Sequence, residues 1–179
     1  MPAYIAMLRG INVGQNKIIK MERLRASFED LGLSEVKTYV QSGNVVFEAE
    51  RTAAAELSRR IEDRILRDFG FAVPVFVKTW QEMKDIISRN PFVREKEIDR
   101  SKLHVTFLSE APAAAAVKNL GVLAAKSERF RVLNQEVYLY CPDGYGKTKL
   151  SNNSIERKLS VIATTRNWKT VNALLEMSA

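Results

Sequence analysis

Short apolar runs alternate with segments of helical periodicity in the first half of this 179-residue chain. The apolar runs lie at 4–8, 36–40, 45–47 and 73–77, and the helical stripes lie at 21–31 and 57–69. Gln-Ser-Gly-Asn at 41–44 separates two runs and predicts a β-hairpin whose turn needs Gly43 at positive φ. Because proline cannot donate to a sheet, Pro74 predicts an edge strand or a strand that begins after it. The order βαββαβ is typical of a ferredoxin-like fold.

A second, similar cycle follows a charged stretch at 91–101, which we interpret as a linker. The pattern predicts strands at 103–108, 130–133 and 137–141, and helices at 112–120, 155–159 and 168–175. Asn153 and Asn167 are the predicted caps of the last two helices. This half is therefore βαββα plus a terminal helix, with a helix where a final strand would be. The predicted fold class is α+β with two subdomains, a ferredoxin-like one at 1–90 and a related one at 102–179.

The positive charge of the chain is concentrated in two places. The net charge is +7, from 28 basic and 21 acidic residues. The first basic segment, 9–25, has five cations against Glu22, and the second basic segment, 144–169, has six against Glu156. This distribution favours an anionic partner, although two solvated basic stretches that bind nothing would have the same composition.

Cysteine and histidine are too scarce for several kinds of site. Cys141 is the single cysteine and His104 the single histidine, so neither an internal disulfide nor a Cys/His zinc site can form. We therefore predict no cofactor and no metal site, and a cytoplasmic location. No apolar run approaches the ~20 residues of a membrane helix, so no membrane partner is predicted. His104 lies in a predicted strand and is interpreted as structural.

The sequence DGYGKTKLS at 143–151 resembles the end of a phosphate-binding P-loop. The first glycine of that motif would fall at Cys141, and Pro142 beside it removes a backbone donor. The next predicted helix also begins too late. We therefore interpret the stretch as a glycine-hinged basic loop and not as a triphosphate site.

Several long motifs identify a family resemblance. Leu-Arg-Gly-Ile-Asn-Val-Gly at 8–14, Thr-Tyr-Val-Gln-Ser-Gly-Asn at 38–44 and Ala-Thr-Thr-Arg-Asn-Trp at 163–168 resemble the bacterial "domain of unknown function 1697" family. Gln15 departs from the pattern, which would have a second glycine there. The resemblance implies a shared fold and supplies no reaction.

The candidate ligand-binding residues fall on the loops that carry these motifs and the positive charge. They are Arg9, Asn12, Lys17, Lys20, Gln41, Ser42, Asn44, Lys147, Lys149, Arg157, Thr164, Thr165 and Arg166. The loop after the first strand and the 41–44 turn are expected at opposite ends of the sheet. The hypothesis is that Arg9, Asn12 and Lys17 form one anion site with a group of residues in the second basic segment. That group is Lys149, Arg157, Thr165 and Arg166.

Three functions fit these features. The leading one is binding of a phosphate-bearing partner, a nucleic acid or a nucleotide, through two basic loops. The second is an enzyme acting on a small anionic metabolite, with Ser42, Thr164 or Thr165 as the available hydroxyls. The third is a structural or oligomerising protein that binds no ligand, in which the signature residues make internal contacts. The sequence leaves the oligomeric state open.

Overall fold

The computed structural model describes residues 1–179, which divide into two compact units. The first unit comprises Met1–Asp85 together with Asn172–Ala179, and the second comprises Ile86–Val171. No helix is long and apolar enough to cross a membrane. The fold is the predicted mixture of α and β, with one four-stranded antiparallel sheet formed in each half of the chain.

The first half has the predicted βαββαβ order followed by a helix. Its elements are β1 (Ala3–Leu8), α1 (Met21–Asp30), β2 (Ser34–Tyr39), β3 (Asn44–Glu48), α2 (Ala54–Phe69), β4 (Val75–Thr79) and α3 (Trp80–Ser88). The strand order is β2-β3-β1-β4. As Pro74 predicted, β4 begins after the proline and lies at a sheet edge. Gly70 ends α2 in the left-handed conformation, with φ +80°.

The second half repeats this arrangement after an irregular stretch. Its elements are β5 (Leu103–Leu108), α4 (Ala114–Val117), β6 (Arg129–Leu133), β7 (Glu136–Tyr140), α5 (Asn152–Leu159), β8 (Ala163–Asn167) and α6 (Trp168–Met177). The strand order, β6-β7-β5-β8, is the same as in the first sheet. The predicted alanine-rich helix is only one α-helical turn, and a 3₁₀ segment over Lys118–Val122 continues it.

Equivalent backbone contacts confirm that the two sheets are built alike. At the end of β1, the Leu8 amide donates to the Gly43 carbonyl at 2.8 Å, and at the end of β5 the Leu108 amide donates to the Gln135 carbonyl at 2.8 Å. Each last strand also runs directly into a helix with a side-chain cap. Thr79 caps α3 by accepting from the Glu82 amide, and Asn167 caps α6 by accepting from the Thr170 amide.

The prediction that the second cycle lacks its final strand was wrong. Ala163–Asn167 is that strand, and it pairs with β5 from His104↔Asn167 to Leu108↔Ala163. Its sequence, Ala-Thr-Thr-Arg-Asn, has no large apolar residue, so the hydrophobic pattern did not reveal it. Threonine nevertheless favours strands because its branched side chain fits a pleated sheet. Backbone pairing with the buried strand β5 therefore forms the strand.

The predicted cap of α5 was also wrong. The cap is Ser151, whose Oγ accepts from the Ser154 amide at 3.3 Å, and the helix begins at Asn152 instead of after Asn153. The Glu156 side chain joins α5 to the strand that follows it. Its Oε2 accepts from the Ala163 amide at 2.9 Å and so ties α5 to the start of β8.

Each unit has an apolar core between its sheet and its helices. In the first unit, Phe28 of α1 meets Phe47 of β3 edge to face, with ring centroids 5.5 Å apart. In the second unit, Ile155 and Leu159 of α5 pack with Leu108 and Val137. Burial of one such side chain contributes about 1.5–3 kcal/mol, so these clusters hold the loops that follow the strands in fixed positions.

Candidate functional site

The loop after β1 lies beside the β2–β3 turn, contrary to the expectation that they lie at opposite ends of the sheet. Strand β1 pairs antiparallel with β3, from Ala3↔Glu48 to Met7↔Asn44. The end of β1 is therefore adjacent to the beginning of β3, and the two signature motifs of the first unit meet. The two loops share one end of the sheet because β3 pairs antiparallel with both β1 and β2.

Asn12 joins these two motifs. Its Nδ2 donates to the Gln41 carbonyl at 2.7 Å and to the Ile19 carbonyl at 3.0 Å, while its Oδ1 accepts from the Ile19 amide at 2.8 Å. Asn12 also has a positive φ of 54°, a conformation that asparagine tolerates better than most residues. Both amide hydrogens are therefore used within the protein. The side chain closes the loop instead of being available to a ligand.

Gly43 and Asn44 allow the turn to approach β1 closely. A Cβ at Gly43 would lie 2.8 Å from both Leu8 Cβ and Ile11 Cδ1, and the residue has a φ of +86°. Asn44 is fully buried, and its Nδ2 donates to the Tyr39 carbonyl and to Ser42 Oγ. Ser42 and Asn44, which were both predicted as ligand-binding residues, therefore shape the turn. Exposed Gln41 contributes its backbone carbonyl to the same network.

The cations of the first basic segment differ in their surroundings. Lys17 is exposed, yet its Nζ donates to the Ala72 carbonyl at 2.7 Å. Arg9 is partly buried, and its backbone amide donates to the Pro74 carbonyl. Lys20 is exposed and its side chain makes no hydrogen bond or ion pair. Lys20 therefore presents an unpaired charge at the N-terminal end of α1.

Strand β8 separates the predicted residues Thr164, Thr165 and Arg166. Successive side chains of a strand point to opposite faces of the sheet. Thr165 Oγ1 donates to Asn152 Oδ1 at 2.6 Å and is 2.7 Å from Thr106 Oγ1, so it faces α5. Arg166 Nη1 donates to Thr164 Oγ1 at 2.7 Å on the opposite face. These three residues therefore do not converge on one ligand.

Arg166 is a buried cation. Its exposed fraction is 7%, and Nη1 also donates to the Thr165 carbonyl at 3.0 Å. Burial lowers the pKa of Arg166 to about 10, and the Tyr145 phenol partly opposes that shift. Arg166 therefore stays charged at neutral pH. Its bonds to Thr164 and Thr165 help to hold the guanidinium within the protein.

Four cations at 147–158 in the second basic segment lie on the surface, unlike Arg166. Lys147, Lys149, Arg157 and Lys158 are all exposed, and none of their side chains makes a hydrogen bond or ion pair. Leu150, Ile155 and Leu159, which alternate with them in sequence, are buried and anchor this stretch to the core. The apolar side chains thus point inward and the cations outward.

His104 and Tyr145 form a contact that the sequence analysis missed. Their rings stack with centroids 4.7 Å apart, which places the Gly-Tyr-Gly loop against β5. His104 Nδ1 is buried without a hydrogen-bond partner, and burial lowers the pKa of this histidine. The sequence feature that indicates this contact is a tyrosine between two glycines, because an aromatic ring in a flexible loop packs against a neighbouring surface.

The hydroxyls considered as nucleophiles are engaged in hydrogen bonds. Ser42 Oγ accepts from Asn44, Thr164 is buried beneath Arg166, and Thr165 bridges Thr106 and Asn152. Cys141 is buried, and that burial raises the pKa of its thiol to about 11. No group of three histidine, cysteine or carboxylate side chains is placed to hold a metal ion.

Comparison with known proteins agrees with the fold and with the motifs at 8–14 and 38–44. The family model described as "Protein of unknown function (DUF1697)" matches residues 1–138. The chain belongs to this family. The solved structure of conserved bacterial protein SP0830 from Streptococcus pneumoniae is similar, with a TM-score of 0.79 and 21% identity over 99% of each chain. That likeness shows the shared fold. No curated protein matches the chain.

Proposed function

We propose that this DUF1697 protein binds a phosphate-bearing partner, a nucleic acid or a nucleotide, through the exposed cations of its second basic segment. The observation that supports the proposal most strongly is the state of Lys147, Lys149, Arg157 and Lys158, which are exposed and unpaired. The single carboxylate of that segment, Glu156, accepts a backbone hydrogen bond from Ala163. Cations that lack internal partners lose little when they pair with phosphate.

The first basic segment has a smaller part in this proposal. Asn12 and Asn44 donate their side-chain amides to groups of the protein, and Lys17 donates to a carbonyl. Only Lys20, among the candidate cations of that segment, is exposed without any partner. The earlier hypothesis that both segments form one site stays a prediction.

The test is the salt dependence of oligonucleotide binding. Fluorescence anisotropy of a labelled single-stranded DNA of about 12 nucleotides is measured from low to moderate salt, with inorganic pyrophosphate as competitor. For single strands, log K falls with log salt by about 0.7 per neutralised phosphate. The double variant Lys147→Gln/Lys149→Gln is expected to weaken binding and to reduce this slope by about 1.4.

The matched control is Lys118→Gln/Lys126→Gln, which removes two exposed, unpaired lysines of the same unit. This control is expected to leave the slope nearly unchanged. If both double variants lost the same oligonucleotide affinity, binding would reflect diffuse charge attraction and not a defined site. Absence of binding by the wild-type protein at low salt would reject the proposal.

A further inference from the structure

Three exposed aliphatic side chains lie around the loop that follows β1. Val13, Ile18 and Val40 are 64%, 55% and 52% exposed. In the first unit, they stand out from buried neighbours such as Ile11 and Ile19, which are 2% and 1% exposed. Single exposed aliphatic residues are normal on protein surfaces, so their significance depends on whether they are contiguous.

The hydrogen bonds of Asn12 join the chain segments that contain these three residues. Val13 follows Asn12 in the chain, Ile18 precedes Ile19, and Val40 precedes Gln41. The Asn12 side chain bonds Ile19 at 3.0 Å and 2.8 Å and Gln41 at 2.7 Å. Each exposed aliphatic residue is therefore one residue from the same hydrogen-bonded centre. We call Val13, Ile18 and Val40 the aliphatic triad.

The backbone at Val40 is strained. Its φ is 49°, and among the non-glycine residues of positive φ it is the one with a β-branched side chain. Such a residue in the left-handed region costs about 1–3 kcal/mol. Asparagine or glycine would fit this turn with less strain. Val40 thus contributes an exposed apolar side chain at the expense of stability.

Two residues of the aliphatic triad, Val13 and Ile18, belong to the first basic segment. The first basic segment has Arg9, Lys17, Lys20, Arg23 and Arg25 against the single carboxylate Glu22. Lys20 and Arg25 are exposed and without partners. Exposed aliphatic groups in a segment that also has unpaired cations are complementary to a surface that combines aliphatic groups with carboxylates.

The shape and chemistry of the triad favour a protein partner. It has no aromatic ring on which a nucleic-acid base could stack. It also lacks the tryptophan, phenylalanine or leucine side chains typical of insertion at a lipid interface. Its base is held by the Asn12 bonds, so little conformational entropy is lost on docking.

We propose that the aliphatic triad is a docking surface for the apolar face of an acidic amphipathic segment of a partner protein. This proposal uses the first unit and does not depend on the phosphate-binding proposal. The surface is small, and small interfaces are typical of transient complexes.

The proposal is tested with a pair of synthetic helical peptides of about 18 residues, one built from leucine and glutamate and the other from leucine and lysine. ¹H–¹⁵N spectra of the full chain are recorded during titration with each peptide. The acidic peptide is expected to shift amides of residues 9–20 and 39–44, and to bind at least about tenfold more tightly than the basic one.

Two variants separate docking from folding. Ile18→Ser removes an exposed aliphatic group and is expected to weaken binding of the acidic peptide about tenfold. The control Val122→Ser changes a residue that is 76% exposed and is expected to leave this binding unchanged. Val40→Asn relieves the strained turn, so it is expected to keep or raise the thermal midpoint of unfolding. It also removes an aliphatic group of the triad and is expected to weaken binding of the acidic peptide.

Three results would overturn the proposal. The first is no amide shift at millimolar acidic peptide. The second is peptide binding that Ile18→Ser and Val40→Asn leave unchanged. The third is triad-dependent binding to phosphatidylglycerol vesicles without binding of the acidic peptide, which would assign the surface to a membrane.

Discussion

The two basic segments have similar charge in sequence but differ in which of their side chains bond within the protein. In the first, polar side chains such as Asn12 and Lys17 are used for internal bonds, and aliphatic residues such as Ile18 are exposed. In the second, aliphatic residues such as Ile155 are buried, and cations such as Lys149 are exposed without partners. The difference shows that local charge does not define a binding site. The availability of internal carbonyls and carboxylates determines which charges remain for a ligand.

Among the variants that test this comparison, Asn12→Ala is expected to change the free energy of unfolding the most. Asn12→Ala removes three hydrogen bonds and leaves backbone groups of Ile19 and Gln41 without their partner. Because each bond contributes about 0.5–1.5 kcal/mol, we expect a loss of about 2–3 kcal/mol in the free energy of unfolding, measured in urea. Gln15→Ala, in the same loop and without a side-chain bond, is the control. If Asn12→Ala had the same free energy of unfolding as the wild type, the hydrogen bonds of Asn12 would have no structural role in the first segment.

A smaller effect is expected at Thr165, the corresponding junction of the second segment. Thr165→Val keeps the shape but breaks the bonds to Thr106 and Asn152. We expect a loss of about 1–2 kcal/mol in the free energy of unfolding. Thr38→Val in the edge strand β2, where the hydroxyl makes no bond, is expected to change stability by less than about 0.5 kcal/mol. If Thr165→Val and Thr38→Val lose the same free energy of unfolding, the hydrogen bonds of Thr165 contribute nothing specific to stability.

The smallest expected effect is a pH dependence of the free energy of unfolding that arises from His104. Burial lowers the pKa of His104 in the folded protein, so the unfolded chain takes up the proton more readily. Stability attributable to this group is therefore complete above about pH 6.5 and falls as the pH decreases below it, by at most about 1.4 kcal/mol per pH unit. His104 is the only histidine, so urea midpoints of His104→Gln should vary less over this range. Identical pH profiles would contradict the prediction.

Most of the fold could be predicted from local patterns. Strands β1 and β5 are apolar runs, α2 has a clear apolar stripe, and Gly43 and Gly70 have the positive φ that their turns require. Strand β8 could not be predicted in this way. It lacks large apolar residues and forms because β5 supplies a partner for its backbone.

The candidate site was less accessible to sequence reasoning. The motifs identified the correct loops, yet Asn12 and Asn44 proved to bond within the protein. Thr164 and Thr165 are neighbours in sequence but lie on opposite faces of one strand. A list of polar residues therefore cannot show which of them converge.

The sequence by itself determined the α+β class, the order of most elements, the family and the two concentrations of positive charge. These properties follow from periodicity, turn residues and composition, each of which is local in the chain. Only the tertiary structure decided that the β1 loop meets the β2–β3 turn, that β8 completes the second sheet, and which cations remain unpaired. Those outcomes depend on hydrogen bonds between residues distant in sequence, such as Asn12 with Gln41, and no local pattern encodes them.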